Sequence, residues 1–157
     1  MNKYQNLLAQ TYDLTAQGKL AEFSTFLAAD AIWTESAGFP YAGTYRGADE
    51  ILRNVHQRLG TEWEGYRADP IAYTFNGLEA MVYGRYSGTY RESGKSFTAD
   101  FVHYYTFNKD DKIARFVQIV DSVPVVEAMQ KNNILNMEYK GRSLPYLLVA
   151  SALCSSS

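Results

Sequence analysis

Residues 97–121 read FTADFVHYYTFNKDDKIARFVQIVD, and the alternation within this stretch decides the fold. Phe97, Ala99, Phe101, His103, Tyr105 and Phe107 fall on one face of a strand, while Thr98, Asp100, Val102, Tyr104 and Thr106 fall on the other. The turn Asn108-Lys109-Asp110-Asp111-Lys112 reverses the chain, and a return strand from Ile113 ends at Val120, just before Asp121. A single histidine thus projects from an aromatic face, and a carboxylate arrives at the rim of the same hairpin. A titratable ring among aromatics is either a satisfied core group or a polar group aimed into a pocket.

The pattern upstream is helical first and stranded later. Tyr4, Leu7, Leu8, Thr11 and Tyr12 recur at helical spacing over residues 2–17, and Gly18 is a natural stop. A second helix is predicted over residues 19–28, a short strand over 31–35, an ordered loop over 36–47 and a third helix over 48–59. Strands are predicted over residues 62–67, 71–75 and 80–90, the last two joined at Asn76-Gly77. Gly84 and Gly88 inside the long run imply a bend or bulge. A closing helix is predicted over residues 123–130. Helices followed by strands, without βαβ alternation, give an α+β domain: a strongly curved antiparallel sheet wrapped around the N-terminal helices as a cone that encloses a pocket. This domain spans residues 1–130. Residues 131–157 form a C-terminal extension with an apolar run over 144–153, which suits an added strand, a helix docking on a partner subunit or a frame artefact.

With 157 residues and 46% hydrophobic content the chain supports one domain with a full core. Thirteen tyrosines favour a wet-ended cavity or an interface over a plain core. A net charge of −2 without a basic stripe argues against nucleic acid. No run is long enough to cross a bilayer, no secretory signal is evident, and Cys154 is the one cysteine, so a cytoplasmic setting without membrane or disulfide is expected. Two histidines far apart in sequence give no metal-ligand spacing. His56, beside charged residues on the third helix, is expected to face solvent.

The helix with Tyr12, the run Ala31-Ile32-Trp33-Thr34-Glu35-Ser36-Ala37-Gly38, the run Tyr41-Ala42-Gly43-Thr44-Tyr45-Arg46-Gly47 and the close Phe116-Val117-Gln118-Ile119-Val120-Asp121 resemble a known family. They look like the SnoaL-like branch of the superfamily that includes nuclear transport factor 2, ketosteroid isomerase and limonene epoxide hydrolase. The resemblance covers about residues 1–130, and its fold hosts enzymes and pure binders alike. It implies a homodimer formed through the outer sheet face, with which Thr98, Val102, Tyr104 and Thr106 are compatible. Glu35 falls where ketosteroid isomerases place their aspartate base, Tyr12 near their oxyanion-binding tyrosine and His103 near their protonated acid. In that isomerase the surroundings tune one carboxyl as a base and keep another protonated as a donor, and the resemblance implies a similar division of roles here. Asp121 matches the acid/base aspartate of SnoaL-type polyketide cyclases, and His103 a substrate-contacting histidine there. Glutamate at position 35 and histidine at 103 depart from the steroid isomerase pattern. Arg85 followed by Ser87 departs from the arginine–aspartate pattern of the epoxide hydrolases.

Each candidate has a structural alternative. His103 is a core histidine or a donor to a substrate oxygen. Asp121 caps the closing helix or acts as a base. Glu35 pairs with Arg46 or, beside Trp33, lines the pocket with a raised pKa. Tyr12 is a core tyrosine or a ligand contact. Gln118, on one face with Phe116 and Val120, is a neutral hydrogen-bonder. Trp33, Phe39, Tyr41, Tyr45, Phe101, Tyr105 and Phe116 supply the walls or pack the core. The chemistry these residues suit is proton abstraction next to a carbonyl of a small apolar or polyketide-like molecule, with enolate stabilisation and no cofactor. The alternative is a non-catalytic ligand-binding or scaffold domain.

Overall fold

A computed structural model describes residues 2–131 of the chain, so the expectations for the extension lie outside the described residues. Helix α1, Lys3–Ala16, is capped by the Asn2 side chain, which accepts from the Tyr4 N–H at 2.9 Å. Helix α2, Leu20–Ser24, is shorter than its sequence pattern. The reason is that Leu27 and Ala28 already belong to β1, Leu27–Glu35, where Leu27 pairs with Ile113. Strand β2, Gly43–Arg46, lies inside the stretch predicted as loop and pairs with β1 as a short exposed edge. Helix α3, Gly47–Ile51, runs through a π-helical turn, Leu52–His56, into α4, Gln57–Glu62.

Strand β3, Trp63–Asn76, is one long strand where two were predicted. Pro70 faces Gly84 and pairing resumes at Ala72 with Tyr83, so a bulge absorbs the proline without ending the strand. Strands β4, Glu79–Tyr90, β5, Ser96–Phe107, and β6, Ile113–Val120, follow, and helix α5, Val123–Met129, closes the described fold. The sheet order is β2-β1-β6-β5-β4-β3. The expected antiparallel pairing holds everywhere except between β1 and β6, which run parallel. Those two strands are joined through the rest of the domain, which leaves their relative direction free of any hairpin constraint.

Strand β5 alternates as its sequence dictates: every odd position from Phe97 to Phe107 is buried. Helix α1 is laid along that face in register. Tyr4 stacks on Phe107 with ring centroids 4.0 Å apart, and the Tyr12 hydroxyl reaches His103 Nδ1 at 2.8 Å. Eight helical residues rise about 12 Å, and four strand residues rise about 13 Å, so both contacts form together. Asp111 in the hairpin turn fastens the helix start, accepting from Lys3 Nζ at 2.7 Å and from the Tyr4 hydroxyl at 2.8 Å.

Gly84 faces Phe101 on one side and Pro70 on the other, at the register shift between β3 and β4. A Cβ at Gly84 would lie 2.3 Å from Phe101 Cζ and 2.6 Å from the Asp69 carbonyl oxygen, so no side chain fits. Gly84→Ala is therefore expected to lower unfolding free energy by about 1–3 kcal/mol through overpacking, as read by chemical denaturation. A loss below the error of that measurement would show that this close approach does not need the glycine.

Candidate functional site

The inner face of the sheet sets three side chains in one cross-strand row, Val82, His103 and Gln118. His103 is 4% exposed and flat against Phe101, with ring centroids 4.0 Å apart. Its Nδ1 meets the Tyr12 hydroxyl, and its Nε2 makes a short contact with the Tyr86 hydroxyl. The Tyr105 hydroxyl donates to Tyr12 at 3.0 Å, and Gln118 Nε2 donates to the Tyr86 oxygen at 3.0 Å. Burial, helped by the neighbouring His56, holds the His103 pKa well below its ordinary value, so the ring is neutral with one N–H and one lone pair. If Tyr12 donates to Nδ1, then Nε2–H donates to Tyr86, and the Tyr86 proton is left for a further acceptor. The other tautomer leaves the spare proton at the Tyr12 end. Either way the network keeps one hydroxyl proton in reserve.

Glu35 ends β1, where parallel pairing of Trp33 with Phe116 brings it beside Gln118. The two wall rings stack at 3.7 Å between centroids. Trp33 Nε1 donates to Glu35 Oε1 at 2.6 Å, while Oε2 is buried without a hydrogen bond. Burial raises the Glu35 pKa from 4.5 to about 7, against the opposing pull of the Trp33 N–H and the Gln118 amide. Gln118 is itself fixed by the Ser36 N–H and hydroxyl, at 3.3 and 3.2 Å from its Oε1.

These groups line a cavity of about 510 Å³, within the range of small-molecule sites. Its buried floor includes Tyr12, Trp33, Glu35, His103, Tyr105, Phe116 and Gln118 from the sequence expectation. Exposed Gln17, Gly18, Gly60, Thr61, Arg67 and Arg91 form its mouth, between the end of α1, the end of α4 and β3. Among the described residues no cluster of side chains suits a metal ion. No described helix is long and apolar enough to cross a membrane.

Other expectations meet a different geometry. Asp121 is exposed and absent from the cavity lining, and Ser122 rather than Asp121 holds the N-cap position of α5. The β6 edge delivers Asp121 past the cone, where its N–H donates to the Asp100 carbonyl. Arg46 is exposed and leaves Glu35 without an ion pair. Phe39, Tyr41, Tyr45 and Phe101 lie outside the cavity lining. The Tyr41 hydroxyl donates to Glu62 at 2.6 Å and accepts from Trp63 Nε1 at 2.8 Å, and the Tyr45 hydroxyl donates to the Tyr41 carbonyl. Phe39 and Phe101 both pack on Tyr86, so these four rings form the shell behind the cavity. Arg85 points outward to Asp100 at 2.8 Å, away from the cavity.

Among the cavity residues that the sequence reading did not assign to the site are Tyr86, His56 and Tyr66. Tyr86 continues the buried even-numbered face of β4 after Ala80, Val82 and Gly84, a pattern present in the sequence. His56 does not face solvent as expected. Its ring sits 4.6 Å from Phe23 and 5.3 Å from Trp33, and burial lowers its pKa to about 4. Leu52, Val55, His56 and Leu59 share the helical stripe spacing that should have revealed it. Tyr66 is turned inward by the bulge between Glu64 and Arg67, where Gly65 takes φ +62°. Strict alternation puts Trp63 and Tyr66 on opposite faces, yet their rings meet at 5.9 Å.

The curved sheet, the N-terminal helices and the deep polar-floored cavity define a cone-shaped α+β pocket domain. The SnoaL-like domain family model matches residues 8–116, and the chain belongs to that family. A solved NTF2-like protein from Burkholderia thailandensis E264 is 42% identical, with 83% of this chain and 99% of that one aligned at a TM-score of 0.76. TerC co-crystallised with polyporic acid aligns at TM-score 0.68 with 24% identity, covering 77% of this chain and 93% of its own. A protein of ketosteroid isomerase-like fold from Catenulispora acidiphila DSM 44928, in complex with trimethylamine, aligns at TM-score 0.67 with 14% identity, covering 74% and 86%. No curated protein matches the sequence.

The buried carboxyl carries a pH signature. With a folded pKa of about 7 against an ordinary 4.5, Glu35 binds more protons in the folded state between those values, so its contribution falls as pH rises through that window. His56, at about 4 against 6.5, acts in the opposite direction between those values and masks the fall. The stability of Glu35→Gln relative to the native chain is therefore expected to improve by about 3 kcal/mol between pH 4.5 and 7, measured by denaturant melts across pH. A pH-independent difference would contradict a buried, protonated Glu35.

Proposed function

We propose that this chain is a cofactor-independent enzyme of the isomerase/cyclase type that removes a proton α to the carbonyl of a small cyclic, polyketide-like compound. The carrying observation is Glu35, a buried cavity carboxyl with one oxygen free of hydrogen bonds and a pKa of about 7. A base is most effective when its pKa lies near the working pH. Trp33 fixes one carboxyl oxygen and leaves the other for the substrate proton. The spare hydroxyl proton of the Tyr12–His103–Tyr86 network serves the enolate oxygen as charge develops there. His103 is then a positioning residue, neutral throughout. Asp121 is not assigned the base, because it lies outside the cavity lining.

The competing reading of the same cavity is a ligand-binding protein without turnover. An open cavity with Glu35 and His103 in its lining favours chemistry over a scaffold packed shut by its own aromatics. The test is exchange of the α-hydrogens of β-tetralone in deuterated buffer, followed by NMR. Exchange is expected to rise with pH through about 7, the folded pKa of Glu35. Glu35→Gln is expected to slow it by about 10²–10⁴-fold, and Tyr86→Phe by a smaller factor. Undiminished exchange in Glu35→Gln would remove the proposed base.

We also propose that the outer sheet face seats a second copy of the chain. Tyr83, Val102 and Ile119 form one outward cross-strand row, and Met81, Tyr104 and Val117 the next. Ile119 is 62% and Met81 52% exposed, an apolar patch that a monomer has reason to cover. Light scattering is expected to give a dimer that Ile119→Lys with Met81→Lys converts to monomer. A native monomer at micromolar concentration would refute the interface.

A further inference from the structure

Gln118 is buried on β6 with its two ends in different company. Its Oε1 lies 3.3 Å from the Ser36 nitrogen and 3.2 Å from the Ser36 hydroxyl, while its Nε2 lies 3.0 Å from the Tyr86 oxygen. The two ends of an amide are alike in size, so the partners decide which end goes where. A backbone N–H can only donate, so the end facing Ser36 is the carbonyl. The NH2 end is thereby turned to Tyr86, beside His103 in the cross-strand row. The same amide acts on Glu35. Burial raises the Glu35 pKa, and the Gln118 amide opposes that rise, the effect of an N–H end and not of a carbonyl.

Ser36 is itself held in place. It follows Glu35 at the end of β1 and opens a turn over residues 36–39, closed by the Phe39 N–H on the Ser36 carbonyl at 3.1 Å. Gly38 takes φ +89° at the third position of that turn, where a Cβ would also lie 2.9 Å from Ser122 Oγ. Parallel pairing of Thr34 with Val117 sets the next residues, Glu35 and Gln118, side by side. One strand pair and one turn therefore place the carboxyl, the serine and the amide together.

We propose that Ser36 is a positioning residue: it sets the polarity of the Gln118 amide, and that polarity lets Glu35 give up its proton in a buried corner. This inference rests on the reading of Glu35 as the base and extends it to a residue outside the cavity lining. A reversed amide would point its carbonyl at Glu35 and Tyr86. It would repel the carboxylate and accept the Tyr86 proton, which the enolate oxygen needs. The other titratable groups packed around this corner are Tyr45 of β2, His56 of the π turn, Tyr66 of β3, Tyr86 of β4, and His103 and Tyr105 of β5. Burial raises the tyrosines and lowers the histidines, so each stays neutral near pH 7 and leaves Glu35 as the group that titrates there.

The experiment follows the Glu35 carboxyl by carbon-13 NMR across pH in the intact chain, its resonance assigned by its loss in Glu35→Gln. Gln118→Met removes the amide at similar side-chain length. It is expected to move the Glu35 midpoint upward from about 7 by about one pH unit, the loss of one hydrogen bond to a charged group. Ser36→Ala keeps the backbone N–H and should move the midpoint upward by about half as much. Ser36→Thr keeps both donors and should leave it at the native value. The pH profile of β-tetralone exchange should follow the NMR midpoint in each variant. Ser36→Ala removes only a hydroxyl and carries the test if Gln118→Met fails to fold. An unshifted or lowered midpoint in either variant would overturn the inference. Glu35→Gln reads the base chemistry separately. A raised midpoint with undiminished exchange in Glu35→Gln keeps the positioning and removes the base, whereas an unshifted midpoint with exchange lost does the reverse.

Discussion

The register of α1 along β5 governs the rest of this structure. Tyr4 on Phe107 and Tyr12 on His103 are spaced so that helix and strand rise nearly equal distances between them. A slip of one helical residue would turn Tyr12 away from the imidazole and leave buried polar groups unpaired. The Asp111 contacts to Lys3 and Tyr4 lock the start of the helix to the hairpin turn, at the far end from the cavity. The exposed Lys3–Asp111 ion pair adds little energy of its own. Its geometric role is larger, because it fixes where the Tyr12 hydroxyl arrives.

Beneath that helix the cavity floor keeps its titratable groups close to neutral. Desolvation lowers His56 and His103 and raises Glu35, and the same cause raises the buried tyrosines Tyr12, Tyr66, Tyr86 and Tyr105. The site therefore differs from an ion-pair network, in which charges are held by counter-charges. Hydrogen bonds hold its geometry, and the low dielectric tunes its proton affinities. Glu35 is the group poised to change charge near pH 7.

Membership of the SnoaL-like family fixes the cone without fixing the reaction. What separates members of such a fold is which side chains the cone turns inward. Here His103 is stacked on Phe101 and bracketed by two tyrosine hydroxyls, Glu35 takes one hydrogen bond from Trp33, and Asp121 stands outside. The aromatics of residues 36–46 support the cavity from behind: Tyr41 joins Glu62 and Trp63, and Tyr45 bonds the Tyr41 carbonyl. Hydrophobicity is matched by the burial of Phe39 and Tyr41 and the partial burial of Tyr45, but it does not tell the lining from the shell behind it.

The sequence by itself determined what depends on local periodicity. The alternation from Phe97 to Phe107 set the inner face of β5, helical spacing set the buried face of α1, and Gly84 lies opposite a register shift of the kind its place in a strand suggests. Placing Trp33, Glu35, His103 and Gln118 on inward faces required nothing beyond those rules. Tertiary structure alone decided what depends on irregular backbone and on pairing between distant strands. The bulge at Gly65 reversed the face of Tyr66, and the exit of β6 past the cone carried Asp121 outside. Parallel pairing of β1 with β6 stacked Trp33 on Phe116 and so brought Glu35 beside Gln118. Periodicity assigns a residue to a face. Only the packing of the curved sheet against its helices decides whether that face meets a cavity, a neighbouring ring or solvent.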